Sequence, residues 1–324
     1  MTSEQLESTI LQSESSILAT PSPAAPPGTR LRRWSSGPVA LLLVATIIWG
    51  GTFLVTQNAI KFSGPFTYLF FCFSLGTLTL ALIFHRQFIH VTRVEIKGGL
   101  LIGVITFAGY AFQTYGLEYT ASSKSAFITG LYVPLVPILA FLFWRQRLSP
   151  GALIGIAFSL GGLMLISLGN AFNFTFGLGE LLTLGCAFTF ALQIIAIGVF
   201  APRANASIIA TIQLAVTALL NLLAIPLAHE AFSMPPLPFW LAILFMGTIN
   251  MGFCYIAMNR AQQSISSTRA TLIYALEPVW AGFFGYLAGQ TLSLPAWFGC
   301  GCILLGMLAG NLRWRKKSDL SREI

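Results

Sequence analysis

The chain has 324 residues, of which 56% are hydrophobic and only 9% charged, with a mean hydropathy of +0.78. A soluble domain carries a charged share nearer a quarter, so composition excludes that class and leaves room for many bilayer spans of about 20 residues each. The net charge of +8 does not point to nucleic acid, because the cations stand in short gaps between apolar runs rather than on one polar face.

Residues 1–36 are rich in Ser, Glu, Thr and Pro, run through PSPAAPPGTRLRR, and are expected to form a disordered tail. No unbroken apolar core precedes the first long hydrophobic run, which argues against a cleaved signal peptide. Ten predicted helical spans follow, at about 37–58, 65–84, 98–117, 124–144, 151–169, 178–199, 207–228, 239–260, 269–288 and 294–312. A basic tail, 313–324, closes the chain. With a cytoplasmic N-terminus, 16 of the 18 Lys and Arg residues fall on the cytoplasmic side, leaving Lys61 and Lys124 outside. That bias follows the positive-inside rule and predicts ten spans with both termini cytoplasmic.

Two stretches are weak copies at a constant offset of 144 positions, one starting at Thr120 and the other at Ser264. Pro134 meets Pro278, Gln146 meets Gln290, Ser149 meets Ser293, Gly155 meets Gly299 and Gly162 meets Gly306. Apolar matches come free in such a chain, so these pairs carry the weight. The repeat divides the protein into residues 37–169 and 178–312. Five helices per copy force the second copy to enter the membrane from the opposite side. The expected fold is therefore an all-α integral membrane protein, ten transmembrane helices in a 5+5 inverted repeat.

The first span carries WGGTF, Trp49 to Phe53; the fourth carries SAFITGLYVPLVPILA and the ninth ATLIYALEPVWAGFFGYLAGQTLS, followed by a Gly-rich tenth. In order and spacing these resemble the EamA-like branch of the drug/metabolite transporter superfamily. The resemblance implies a ten-helix inner-membrane carrier, commonly an exporter of amino acids or other small metabolites. Members of that family usually end the fourth and ninth helices with a Gly-Glu pair, whereas this chain has Gln146 and Gln290, which hold no charge.

Pro134 and Pro278 fall near the middle of their spans, where each deletes a backbone donor and frees a carbonyl four residues earlier, at Gly130 and Tyr274. Freed backbone in hydrocarbon is tolerated where protein or a wet cavity covers it, so the pair marks a candidate site. Glu277 is the one acidic residue near mid-span, and Val133 stands opposite it in the repeat. A carboxylate there costs several kcal/mol unless paired, hydrated or protonated, so it is a candidate for carrying a coupling proton or meeting a substrate amine. Polar stripes converge with it: Ser125, Thr129 and Tyr132; Thr106, Tyr110 and Gln113; Trp49, Thr52 and Thr56; Thr189 and Gln193; Tyr255 and Asn259; and Tyr274. Each alone is as readily interhelical glue as ligand. Gly99/Gly103, Gly151/Gly155, Gly285/Gly289 and Gly306/Gly310 have the spacing of close helix packing. Glu118 and Glu180 are expected at span ends in water. The five cysteines read as core thiols, and the three histidines are isolated.

The leading function is a secondary transporter working by alternating access, with an exporter of a small organic metabolite as its form and protons as a candidate partner. A channel-like facilitator and an intramembrane enzyme are the alternatives, the latter disfavoured by the lack of a nucleophile–base pair. No nucleotide-binding motif, metal site or cofactor is expected. The expected partners are a small-molecule substrate and the lipid bilayer, with no nucleic acid; a homodimer is left open.

Overall fold

The computed structural model describes residues 36–120, 122–144, 149–169, 177–230, 234–287 and 293–311. The two tails, Gln146, Gln290 and Gly289 lie outside these residues. Every regular element among the described residues is helical. In chain order they are α1 (Ser36–Ala59), α2 (Pro65–Phe84), α3 (Arg93–Gly116), α4 (Ser122–Thr129), α5 (Tyr132–Trp144), α6 (Pro150–Gly169), α7 (Leu178–Phe200) and α8 (Ala206–Leu227). Next comes α9 (Leu237–Phe245), which runs through a π-helical stretch, Met246–Cys254, into α10 (Tyr255–Gln262). The chain ends in α11 (Ser267–Tyr274), α12 (Glu277–Leu287) and α13 (Leu294–Asn311).

Six stretches are long and apolar enough to cross a membrane: α1, α2, α3, α7, α8 and the continuous run from α9 to α10. Shorter apolar segments lie in α5, α6 and α13. The outer surface is what lipid requires. Leu82, Ile83, Leu142, Leu227 and Phe298 are each more than 60% exposed, an arrangement that water would penalise heavily. Threonines, glutamines and asparagines point inward instead, among them Thr106, Gln213, Asn221 and Asn259.

Helix starts are set by local chemistry. Thr92 and Glu95 form a reciprocal capping box on α3, and the Asn205 side chain accepts from Ser207 N–H at the start of α8. Pro65 opens α2, where its missing N–H has no intrahelical partner to lose. Three carboxylates extend this capping across the fold. Glu230 accepts from Phe66 N–H, Thr67 N–H and the Thr67 hydroxyl at 2.7–2.8 Å, although it lies more than 160 residues away in sequence. Glu95 also accepts from Asn205 N–H at 2.9 Å, tying α3 to α8. Glu180 accepts from Gly177 N–H and from the Thr120 hydroxyl. It is buried, not the solvated span-end residue the sequence suggests, because it neutralises a helix N-terminus; Glu118 is exposed as expected.

The predicted fourth and ninth spans are each broken. Residues 130–131 separate α4 from α5, and residues 275–276 separate α11 from α12. Pro134 and Pro278 thus sit in the first turn of a new helix rather than inside one, a place where the missing donor costs little. The freed-carbonyl expectation changes accordingly. Gly130 C=O accepts from Val133 N–H at 3.0 Å, and Tyr274 C=O is met by the Tyr132 hydroxyl at 3.4 Å. The proline that does interrupt a helix interior here is Pro137, which has no partner in the repeat.

Two glycine seams let helices pack closely. A Cβ on Gly99 or Gly103 would come within 2.6 and 2.7 Å of Ile212 and Val216, so α3 lies tight against α8. The second seam joins α6 to α13 with the four glycines matched in the repeat. A Cβ on Gly162 would lie 2.5 Å from the Gly299 carbonyl oxygen, and one on Gly306 2.7 Å from that of Gly155. We expect Gly162→Leu to lower the thermal midpoint of the detergent-solubilised protein through overpacking of about 1–3 kcal/mol. Gly161→Ala, one residue away with nothing within 4 Å of the added carbon, is expected to leave stability unchanged or raise it by about 0.5–1 kcal/mol.

Candidate functional site

A cavity of about 60 Å³, enough for several waters, opens where the two broken helices meet the long ones. Its wall draws on both halves of the chain. Trp49, Thr52 and Thr56 come from α1, Tyr110 and Gln113 from α3, Thr129 from α4 and Tyr132 from α5. Gln193 comes from α7, Tyr255 from α10, Tyr274 from α11 and Glu277 from α12. Breaking α4–α5 and α11–α12 is what brings Tyr132 and Glu277 here, since each is the first residue of its new helix.

These two side chains meet. The Tyr132 hydroxyl lies 3.1 Å from Glu277 Oε2 and 3.4 Å from the Tyr274 carbonyl oxygen. Its single proton serves one of these two acceptors at a time. One tyrosine of the first half thus bridges the break in the second half. Around it the wall is aromatic. Trp49 packs edge-on to Tyr274 at 5.3 Å between ring centroids, and Tyr110 contacts Phe73 at 5.0 Å, Phe190 at 5.3 Å and Tyr255 at 6.4 Å. Such pairs hold rings in fixed orientations and leave their faces or edges open to a solute.

Asn259 is not in the wall. Its Nδ2 donates to Gln213 Oε1 at 3.2 Å and to the Tyr255 carbonyl at 3.0 Å, while Gln213 Nε2 donates to Thr106 Oγ1 at 2.9 Å. Asn259 and Thr106 are therefore rungs of a buried brace joining α10, α8 and α3, since the next helix supplies an amide within reach. Thr189 turns back on its own helix, bonding the carbonyls of Gly185 and Cys186. Ser125 meets Thr183 at 3.5 Å, and Gln113 donates to Thr129 at 3.4 Å beside the cavity. Pro134 and Pro278 lie outside the wall, in the first turns of α5 and α12.

The π-helical stretch supplies wall residues that sequence reasoning missed, namely Met246, Asn250 and Met251, followed by Met258 of α10. Asn250 was the legible signal, an amide at mid-span. The methionines and Phe53, Tyr68 and Phe190 carried none, since an apolar side chain reads equally well as core. Several polar atoms on wall residues have no partner within the protein. They are Trp49 Nε1, Gln193 Nε2, Thr114 Oγ1 and Asn250 Oδ1. Each is also sealed from solvent, and an unmet polar group of this kind costs about 1–3 kcal/mol.

The EamA-like transporter family matches the chain twice, over residues 37–168 and 177–311, once per half. A protein of Archaeoglobus fulgidus, described as an uncharacterized transporter, is 29% identical over 280 residues, covering 85% of both chains. A protein of Chlamydia muridarum, described as an S-adenosylmethionine/S-adenosylhomocysteine transporter, is 23% identical over 297 residues, 83% of this chain and 89% of its own. One solved crystal structure superposes with a TM-score of 0.72 at 20% identity, over 86% of this chain and 98% of that one, a likeness of fold.

The contact between Tyr132 and Glu277 should be measurable as a coupling. In a double-mutant cycle of Tyr132→Phe and Glu277→Gln, followed by denaturation in detergent, we expect an interaction energy between about 0.5 and 3 kcal/mol. Additive effects of the two substitutions would show that the contact contributes nothing to the folded state.

Proposed function

This chain belongs to the EamA-like transporter family, and on that footing we propose that it is a secondary carrier exporting a small organic metabolite across the inner membrane by alternating access. The protein is a multi-pass membrane transporter; direction, cargo and drive are the proposal. The observation that carries it is the cavity itself, walled by both halves and bridged at its centre by Tyr132 and Glu277. In this reading Trp49, Thr52, Tyr110, Gln113, Thr129, Tyr132, Gln193, Tyr255 and Tyr274 contact substrate. Glu277 carries the coupling proton or meets a cationic group of the substrate. Asn259 braces the wall from behind.

The proposed layout is ten crossings in a 5+5 inverted repeat with both termini cytoplasmic. The distribution of Lys and Arg supports it, and so does the packing. The α2 helix lies against α8 and α6 against α13, each an element beside its counterpart in the other half. The α2 contact with the π-helical stretch is matched by the α8 contact with α3. Such reciprocal pairs are what an inverted repeat produces along its pseudo-axis. At one end of the cavity Tyr274 bonds Gln262, and Ser267 bonds both Gln262 and the Ile194 carbonyl. These bonds tie α7, α10 and α11 together at the end that is cytoplasmic in this topology, which supports a gated carrier over an open pore. A relative named for S-adenosylmethionine and S-adenosylhomocysteine supports an organic metabolite as the class of cargo.

Reporter fusions at the two termini are expected both to register the cytoplasm, and an opposite reading at either end would overturn the ten-span layout. In proteoliposomes the protein is expected to give saturable, trans-stimulated flux of at least one metabolite from a panel. A pH gradient should accelerate that flux at least tenfold more in the wild type than in Glu277→Gln. A Glu277→Gln protein with unchanged rate and unchanged pH response would remove Glu277 from the coupling step.

A further inference from the structure

Three features of the cavity wall bear on what it holds. The first is charge. Glu277 is the one ionisable carboxyl group in the wall, and none of the lining side chains among the described residues is Lys, Arg or His. Its protein partner is a neutral hydroxyl, that of Tyr132. A carboxylate has about four lone-pair positions, so most of its capacity faces the cavity unspent.

The second is the lack of a cationic partner for an anion. In broken-helix carriers the amides at a break commonly hold an anionic group. Here six amides around the breaks, those of Leu131, Val133, Leu135, Ala275, Leu276 and Trp280, donate to backbone carbonyls at 3.0–3.3 Å. The start of α12, which would otherwise attract an anion, begins with Glu277 itself. A ligand carboxylate would meet that acidic side chain and no cationic one among the lining residues.

The third is the aromatic wall. Trp49, Tyr110, Tyr132, Phe190, Tyr255 and Tyr274 line one small space. Aromatic faces attract cations, most strongly when water is excluded, and cages of them hold methylated ammonium groups.

We infer that this site selects an organic cation with a flat or apolar body and without a free carboxylate, its charge set against Glu277 and its body against the aromatic wall. The inference rests on the carrier reading and narrows it. Amino-acid zwitterions, the broader expectation, would bring a carboxylate that no cationic side chain of the wall pairs with.

Three probes that share a benzyl body separate these classes: benzyltrimethylammonium, zwitterionic N,N,N-trimethylphenylalanine and anionic 3-phenylpropionate. Binding to the full-length protein in detergent is read by tryptophan fluorescence and checked by calorimetry. We expect benzyltrimethylammonium to bind at least tenfold tighter than either other probe, and folded Glu277→Gln protein to bind it at least tenfold more weakly. Equal or tighter binding of the zwitterion or the anion would overturn the inference, as would binding of none of the three. Should Glu277→Gln fail to fold, the selectivity of the wild type decides alone. Counterflow of labelled benzyltrimethylammonium in proteoliposomes keeps the two readings apart. Binding of the cation without counterflow would sink the carrier and leave the site's preference standing, whereas counterflow of the zwitterion alone would do the reverse.

Discussion

In hydrocarbon a backbone polar group has no water to turn to, and this constraint organises the rest of the molecule. Two helices stop midway and start again, which exposes carbonyls and amides where they are costly. The breaks are closed locally by short-range backbone bonds, and the Tyr274 carbonyl lies 3.4 Å from the hydroxyl of Tyr132 from the other half of the chain, which also meets Glu277. The same economy governs the helix ends. Glu95, Glu180 and Glu230 each neutralise helix-start donors, two of them reaching over to a second element to do so. Carboxylates that look like surface residues are thus structural parts, and Glu277, which caps nothing in this way, stands apart from them.

Much of this was legible in the sequence because the physics of membranes leaves few choices. Apolar runs of span length, cations at alternate gaps and a repeat at constant offset can be read without coordinates. The glycine pairs Gly155/Gly299 and Gly162/Gly306 proved the most literal of these signals, since the repeat partners are the residues whose backbones touch, crosswise, between α6 and α13. The prolines were a partial signal. Their symmetry was visible, but whether a proline kinks a helix or opens a new one depends on whether neighbouring helices supply partners for the freed groups. That is tertiary information.

The polar stripes show the same limit at the level of single residues. Tyr110 and Thr106 lie on one face of α3, one turn apart, yet only Tyr110 reaches the cavity while Thr106 is taken up by Gln213. Tyr255 and Asn259 divide in the same manner. Periodicity places a side chain on a face; what it bonds is decided by the nearest group on the next helix. The family match, once over each half, and the fold likeness bear on the architecture rather than on the individual wall residues.

The π-helical stretch from Met246 to Cys254 has a consequence for the energetics of switching. Its counterpart in the first half, α3, is α-helical throughout, so the wider turn exists in one half only. In a carrier that alternates by letting its halves exchange conformations, a perfectly matched repeat would make the two end states degenerate. A wider turn on one side, together with a carboxyl group at Glu277 where the other half has Val133, would lift that degeneracy. Of the many differences between the halves these bear most directly on the cavity, since Met246, Asn250, Met251 and Glu277 all line it.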